Sequence, residues 1–289
     1  MKPLFCFLLC ILLIGSLCAC DSAPQADIAA TTLPVYEFTT RLCQGTDLTV
    51  TRLVAESVSC LHDYTLKTGQ LKAIQGAKAL VISGAGLEEF LEDALAGANH
   101  VIDASKGVHI HESHDHEEHE GHHHDMDPHI WLSPLCAMDM AKNICQGLCE
   151  TFPQHKDVFH SNLTTLLEDL EVLQQYGEDT LKELSCRKLI TFHDGFSYLA
   201  ENYGLTILEA VEEESGSEAS SKQLIHLCNL VRDHRLPAVF TEVSGSTSAA
   251  SVISRETGVS VFALDMAMAG DSYFDAMYHN INTLWEALQ

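Results

Sequence analysis

Two patterns of apolar residues alternate along the first half of the chain. Short apolar runs such as Ala79–Ile82 are separated by segments in which apolar residues recur every three or four positions. The runs predict buried strands and the spaced residues predict helices that cover a sheet. Because strands that alternate with helices pair in parallel, we expect an open α/β sheet. The segment "LEEFLEDALAG" is interpreted as one of these amphipathic helices.

Ser133 and Pro134 suit the N-cap and first position of a further helix, which Pro153 is expected to end.

The second half repeats the same alternation. Beyond residue 185, four apolar runs predict strands and three longer segments predict the helices between them. The strand candidates are "KLITF", "LTIL", "AVFTE" and "SVFAL", and the helix candidates are "FSYLAENYG", "SKQLIHLCNLVRDH" and "STSAASVISRETG".

A long helical pattern joins the two halves. From Lys156 to about Leu184 the apolar spacing predicts one helix of about 28 residues, which would span about 42 Å. We interpret it as a rigid strut that Gly177 bends. The expected organisation is therefore an N-terminal lobe over residues 27–152, a linking helix over 153–184 and a C-terminal lobe over 185–289.

The first twenty residues are typical of a secretory signal, with an early lysine, an apolar run and small residues before Cys20. Leu17–Cys20 resembles a lipoprotein cleavage box, so we expect Cys20 to carry a lipid that anchors the protein outside the cytoplasm. Residues 21–26 would form a tether. The alternative is a soluble secreted protein that has a cysteine at this position.

Composition narrows the possible partners. The chain has 41 acidic and 16 basic side chains, a net charge of −25 that would repel nucleic acid and attract cations. Seven cysteines follow Cys20, an odd number at irregular spacing, apart from Cys145 and Cys149, four residues apart on a predicted helix. We interpret them mainly as small buried hydrophobic residues, with at most one disulfide that the spacing does not place.

Potential metal ligands follow several predicted strands. His193, Glu242 and Asp265 each come at or just after a strand of the second half, where open parallel sheets bind ligands. In the first half, His62 follows a predicted strand through a loop, and His129 lies further along. Each residue alone would suit a helix cap, an ion pair or a surface position. Their convergence at one sheet edge favours a metal site between two lobes.

Residues 109–127 form a tract of histidines and acids without hydrophobic periodicity. Such a segment cannot bury a core, so we expect a mobile surface loop. We expect it to gather several ions weakly near the main site or to sense excess metal; the alternative is a loop without function. Its histidines are His109, His111, His114, His116, His119, His122, His123 and His124.

Several segments together resemble a known family. "HDYTLKTGQLKAIQGAKALVISGAGLEEFL", "DPHIWLSP", "FHDGFSYLAENYGL" and "AVFTEVSGSTSAASVISRETGVSVFALD" are similar to the zinc/manganese solute-binding lipoproteins of bacterial ABC importers, and "YFDAMYHNINTLWEAL" resembles that family's last helix. The match covers nearly all of the mature chain. It implies two α/β lobes joined by one long helix, with a metal held between them.

The resemblance also implies a ligand set. The three histidine ligands of that family correspond to His62, His129 and His193 of this chain, and its carboxylate ligand corresponds to Asp265. Glu242 would either bind the ion or lie beside a ligand, and a water is a further possibility for the fourth position. Cys60 stands near the place where relatives usually have a proline; it would either join a soft-metal site or, as we favour, take no part.

The resemblance, with histidine at position 193, favours Zn²⁺ over Mn²⁺, although nickel and copper remain possible. We expect a monomeric receptor that captures Zn²⁺ and delivers it to an ABC permease in the membrane. A manganese-binding member of the family is the first alternative. A zinc metallohydrolase with Glu242 as general base and a matrix-binding adhesin are weaker ones, because no hydrolase motif is present and nothing specific supports adhesion.

Deletion of residues 109–125 should leave the tightest zinc site in place. The tract must become ordered when it binds an ion, so its affinity per ion should be lower than that of a preformed cleft. Calorimetric titration of the full chain and the deletion variant with Zn²⁺ would test this. Loss of the tightest binding event would instead place the main site in the tract.

Overall fold

The computed structural model describes residues 26–55, 61, 64–110, 126–211 and 219–289. Several predicted features lie outside these ranges: the signal with Cys20, most of the tether, Cys60, His62 and seven of the eight tract histidines. Within the described residues, no helix combines the length and the apolar character needed to cross a bilayer.

The N-terminal lobe is a small parallel sheet flanked by helices. Its elements are β1 (Ile28–Ala30), α1 (Leu33–Leu42), β2 (Val50–Arg52), α2 (Thr68–Gly76), β3 (Ala79–Ile82), a 3₁₀ turn (Glu89–Leu91), α3 (Glu92–Leu95), β4 (Val101–Asp103), a second 3₁₀ turn (Ile130–Leu132) and α4 (Pro134–Thr151).

A third 3₁₀ turn (Pro153–His155) and the long helix lead into the C-terminal lobe. Its elements are α5 (Lys156–Leu181), β5 (Lys188–Thr191), α6 (Ser197–Asn202), β6 (Thr206–Ala210), α7 (Ser221–His234), β7 (Ala238–Glu242), α8 (Ser248–Thr257), β8 (Ser260–Leu264) and α9 (Tyr273–Leu288).

The two sheets have the same strand order. The first is β2-β1-β3-β4 and the second is β6-β5-β7-β8, and every pair of neighbouring strands is parallel. The carboxyl ends of the strands therefore lie along one edge of each sheet. The predicted fold class, two parallel α/β lobes joined by a long helix, is confirmed.

One hydrophobic core runs through both lobes. The helix α5 has 26 residues, or about 39 Å, and its buried Leu166, Leu170 and Leu173 belong to the same apolar cluster as Phe38 of the first lobe and Tyr273 of the second. The last helix, α9, packs against α5 and touches α1. The lobes are consequently two sheets on a shared core.

Hydrogen bonds between the lobes lie inside this core. The indole Nε1 of Trp131 donates to the carbonyl oxygen of Met266 at 2.7 Å, and the hydroxyl of Tyr273 donates to the carbonyl oxygen of Trp131 at 2.8 Å. Trp131 and Tyr273 are both fully buried. These bonds fix the turn that carries Trp131 against the loop that follows β8.

The predicted helix "LEEFLEDALAG" is wrong in extent. The chain forms only the 3₁₀ turn at Glu89 and the four-residue helix α3. The reason is the buried Glu88, whose carboxylate accepts hydrogen bonds from the amides of Ser83 at 2.7 Å and Gly84 at 2.9 Å. These bonds hold the chain in a tight turn, so helical geometry starts late and ends before Gly97.

The disulfide considered from the sequence does not form among the described cysteines. All six of them are free thiols: Cys43, Cys136, Cys145, Cys149, Cys186 and Cys228. Cys43, Cys145 and Cys228 are buried, as expected for cysteines that act as small hydrophobic residues.

Close packing explains why residue 177 is glycine. A Cβ atom there would lie 2.3 Å from the ring tip of the buried Tyr203. Glycine therefore allows α5 to approach the end of α6 more closely than any other residue would.

Gly177→Ala should destabilise the protein by about 1–3 kcal/mol, because overpacking outweighs the better helix propensity of alanine. Gly69→Ala is the matched control, since a Cβ on this exposed residue of α2 meets nothing within 4 Å, and it should stabilise by up to about 1 kcal/mol. Denaturant unfolding would measure both. Equal stabilisation by the two variants would contradict the packing argument.

Candidate metal site

Three strands of the second sheet deliver side chains to its carboxyl edge. His193 lies just beyond β5, Glu242 is the last residue of β7, and Asp265 directly follows β8. In the first lobe, His129 is the residue before the 3₁₀ turn that carries Trp131. The bond from Trp131 to Met266 holds these two regions together.

The structure brings His129 and His193 together from opposite lobes. Their ring centroids are 5.3 Å apart and the ring planes are inclined by 81°. Two imidazoles that share one tetrahedral Zn²⁺ at about 2.0 Å from each nitrogen would have centroids about 5 Å apart. The separation therefore suits two ligands of the same ion.

A buried carboxylate orients His129. The Oδ1 atom of Asp127 lies 2.8 Å from Nδ1 of His129 and accepts the backbone N–H of the same residue at 3.0 Å. The hydroxyl of Tyr198 donates to the Asp127 carbonyl at 3.2 Å. A carboxylate at Nδ1 favours the proton on that nitrogen, which leaves Nε2 as the metal-binding atom. Asp127 was not among the predicted site residues, although its position two residues before His129 offered a signal.

Glu242 lies beside His193, at a longer distance than that between Asp127 and His129. Its Oε2 atom lies 3.8 Å from Nδ1 of His193, and the glutamate is only 5% exposed. Burial, and then the nearby charge of Asp265, raises the pKa of Glu242 to about 7. A cation bound near Glu242 and Asp265 would lower the pKa of Glu242 and so favour its ionised form. Gly195 makes room for the ring, because a Cβ there would lie 2.7 Å from Cδ2 of His193.

Asp265 is held by the last helix and by its own loop. Its backbone N–H donates to Oδ1 of Asn280 at 2.7 Å, and Nδ2 of Asn280 donates to the Asp265 carbonyl at 2.7 Å. The Oδ1 atom of Asp265 accepts the amide of Ala267 at 2.7 Å. Ala267 has a φ of +54°, unusual for a residue with a Cβ. The loop is thus fixed in a turn that positions the carboxylate.

A cavity of about 320 Å³ adjoins these carboxylates. Ala55 lines it from the first lobe, and Glu242 and Asp265 line it from the second. Ala55 is the last described residue before the segment that carries Cys60 and His62. The cavity therefore lies between the lobes, beside the predicted ligand Asp265.

Leu61 and Tyr64, the described residues nearest to His62 in the sequence, are anchored to the first lobe. Leu61 is buried, and the ring of Tyr64 packs edge-on against Phe90 at 5.2 Å. Gln70 donates a hydrogen bond of 2.6 Å to the Tyr64 hydroxyl. His62 itself lies outside the described residues. The ligand roles of His62, His129, His193 and Asp265 stay predictions.

Two parallel α/β lobes, joined by one long helix and with a polar site between them, define a class of two-lobed solute-binding proteins. The chain belongs to the family described as zinc-uptake complex component A, periplasmic (ZnuA), whose model matches residues 28–287.

Comparisons with known proteins agree with this assignment. The zinc-binding lipoprotein AdcA of Streptococcus pneumoniae serotype 4 is 28% identical over 301 residues, which cover 94% of this chain and 60% of AdcA. The chain thus spans about three fifths of this relative. A crystal structure of ZnuA is 30% identical, with a TM-score of 0.78, and covers 91% of this chain and 100% of its own. A ZnuA deletion mutant with zinc bound is 29% identical, with a TM-score of 0.77, and covers 91% and 98%.

Asp127→Asn should weaken zinc binding by about 10–100-fold, because it removes the carboxylate that lies at hydrogen-bond distance from Nδ1 of His129. Glu242→Gln should have a smaller effect, because its carboxylate lies 3.8 Å from Nδ1 of His193. Asp139→Asn is the matched control, since this exposed aspartate on α4 pairs only with Lys142 among the ion pairs described. Competition with a chelator of known affinity would measure the three variants. Unchanged affinity in both site variants would contradict the orienting role.

Proposed function

We propose that the protein is an extracytoplasmic receptor that captures Zn²⁺ between its lobes and delivers it to an ABC permease for import. The observation that carries the proposal is the facing pair His129 and His193, each with a carboxylate beside Nδ1. Membership of the zinc-uptake family supports both the cargo and the transport role.

The proposed ligands are His62, His129, His193 and Asp265. Glu242 is better suited to orient His193 than to bind the ion, because it lies beside Nδ1, the nitrogen turned away from the proposed metal-binding atom. Asp265 lies at the end of the neighbouring strand and lines the same cavity. Three imidazoles and one carboxylate suit tetrahedral Zn²⁺ better than the harder Mn²⁺.

We propose binding without catalysis. Catalytic zinc sites keep a position open for water, whereas four protein ligands complete a tetrahedron. The relatives that match most of this chain are named for zinc binding and not for a reaction. A hydrolase would need one of these ligands to leave the ion, and no feature of the described residues favours that.

The shared core favours small movements during uptake. Separating the lobes as rigid halves would expose Phe38, Tyr273 and Trp131, which are fully buried. Exchange of the ion would then depend on the loops that carry the ligands. Because a histidine must be neutral to bind the ion, protons compete with zinc for the ligand nitrogen atoms.

The His-rich tract is proposed as an accessory collector. It leads directly into the site, since the exposed Met126 is followed by Asp127, the partner of His129. At its other end, His109 is exposed. Ions held weakly by the tract would be released next to the cleft. A lipid on Cys20 would keep the receptor at the membrane beside its permease.

His62→Ala, His129→Ala and His193→Ala should each weaken zinc binding by more than about 100-fold, because loss of a ligand costs more than loss of a ligand's hydrogen-bond partner. Asp265→Ala should have a comparable effect. Elemental analysis of the purified variants and competition titrations would measure it. The control is His226→Ala, an exposed histidine on α7 whose described ion pair is with Glu209.

Two results would contradict the proposal. One is tight binding that survives all three histidine variants; the other is a wild-type protein that selects Mn²⁺ over Zn²⁺ in direct competition. Equal weakening by His226→Ala would show that the effect is not specific to the cleft.

A further inference from the structure

A second group of metal-binding side chains lies on the helical hairpin of α4 and α5. The sulfur of Cys145 is 3.9 Å from Nδ1 of His160, and the sulfur of Cys149 is 3.9 Å from Nε2 of the same ring. One ligand atom from each of the three residues lies within 4.8 Å of the others. None of the three belongs to the site between the lobes.

The secondary structure sets up this arrangement. Cys145 and Cys149 are four residues apart on α4, so their side chains lie on the same face of the helix. The chain then reverses through the 3₁₀ turn at Pro153, and His160 follows in the second turn of α5. The tight antiparallel hairpin places the imidazole against the two thiols.

The spacing of the thiols suits an ion better than a disulfide. Cβ atoms four residues apart on a helix are about 5–6 Å from each other, whereas a disulfide needs about 3.5–4.5 Å. Two thiolates bound to one tetrahedral Zn²⁺ at about 2.3 Å lie about 3.8 Å apart. The helix can hold such a pair without distortion.

The surroundings leave the cluster open on one side. Cys145 is buried, Cys149 is half-buried and His160 is exposed, so an ion could enter from the solvent past the imidazole. Burial, and then the neighbouring Cys149, raises the pKa of Cys145 to about 12. Without a cation this thiol therefore stays protonated and is a poor nucleophile.

We infer that Cys145, Cys149 and His160 form a second metal site, separate from the cleft, which binds Zn²⁺ through two thiolates and one imidazole. A water would complete the tetrahedron. Binding releases the two thiol protons to solvent, and no electron transfer is involved. The bound ion would join α4 to the long helix α5, on which both lobes pack.

Cobalt is a suitable probe, because Co²⁺ bound to thiolates gives an intense near-ultraviolet charge-transfer band that imidazole and carboxylate ligands do not give. The full chain, kept reduced with a phosphine that does not bind metal, would be titrated with Co²⁺. We expect the band to grow to saturation and to disappear when Zn²⁺ is added. Absence of a thiolate band in the reduced protein would overturn the inference.

Variants identify which thiols are responsible. Cys145→Ser and Cys149→Ser should each lower the band by at least half, because one of the two thiolates is lost, and the double variant should abolish it. His160→Ala, at an exposed position, should weaken cobalt binding at least tenfold without affecting the fold. Cys136→Ser is the matched control, because this cysteine lies on the same helix outside the cluster. A band of full intensity in Cys149→Ser, or loss of the band in Cys136→Ser, would contradict the assignment.

The cleft is tested separately. His193→Ala should leave the thiolate band unchanged, and so should Cys60→Ser, which removes the thiol near the predicted cleft ligand His62. Loss of the band in Cys60→Ser would place the thiolate in the cleft and overturn the second site. Failure of the hairpin site would leave zinc binding between the lobes unaffected.

Discussion

The buried hydrogen bond between Trp131 and the Met266 carbonyl is the constraint on which the site depends. Trp131 lies two residues after His129, and Met266 is the residue after Asp265. An indole N–H left without a partner inside the core would cost about 1–3 kcal/mol. This bond helps to hold the lobes in one relative position, in which the rings of His129 and His193, one from each lobe, are in contact. A metal ion could not by itself bring together residues so distant along the chain without a large loss of conformational entropy.

This constraint shapes how an ion could be exchanged. In a protein whose lobes are joined by flexible strands, closure of the whole cleft can accompany binding. Here α5 is continuous and the core passes through both lobes. Rigid-body opening would expose buried aromatic rings, at a cost that grows with the apolar area involved. Movement restricted to the loops around the candidate site avoids that cost.

The elements that the sequence predicts best are those that follow from burial. The run Ala79–Ile82 forms β3 with the predicted bounds, because all four residues are buried and a strand buried on both faces must be apolar throughout. "AVFTE" and "SVFAL" form β7 and β8 with the predicted bounds as well. The apolar pattern does not show single polar or packing contacts. Periodicity does not show that Glu88 accepts two amides or that Tyr203 fills the space beside Gly177. The candidate site divides in the same way. The ends of predicted strands point to His193 and Asp265, whereas the contact between Asp127 and His129 is visible only once the turn has folded.

The two candidate metal sites differ in ligand chemistry, and this difference assigns them different tasks. Imidazoles and a carboxylate bind Zn²⁺ reversibly over a pH range close to neutral, since protons compete for the same nitrogen atoms. Thiolates are softer and hold zinc with greater covalency, so an ion on the hairpin would exchange more slowly. Cargo must leave, whereas an ion that joins two helices must stay. The cleft ligands therefore suit transport, and the Cys145–Cys149–His160 cluster, on the helices that support both lobes, suits a structural role.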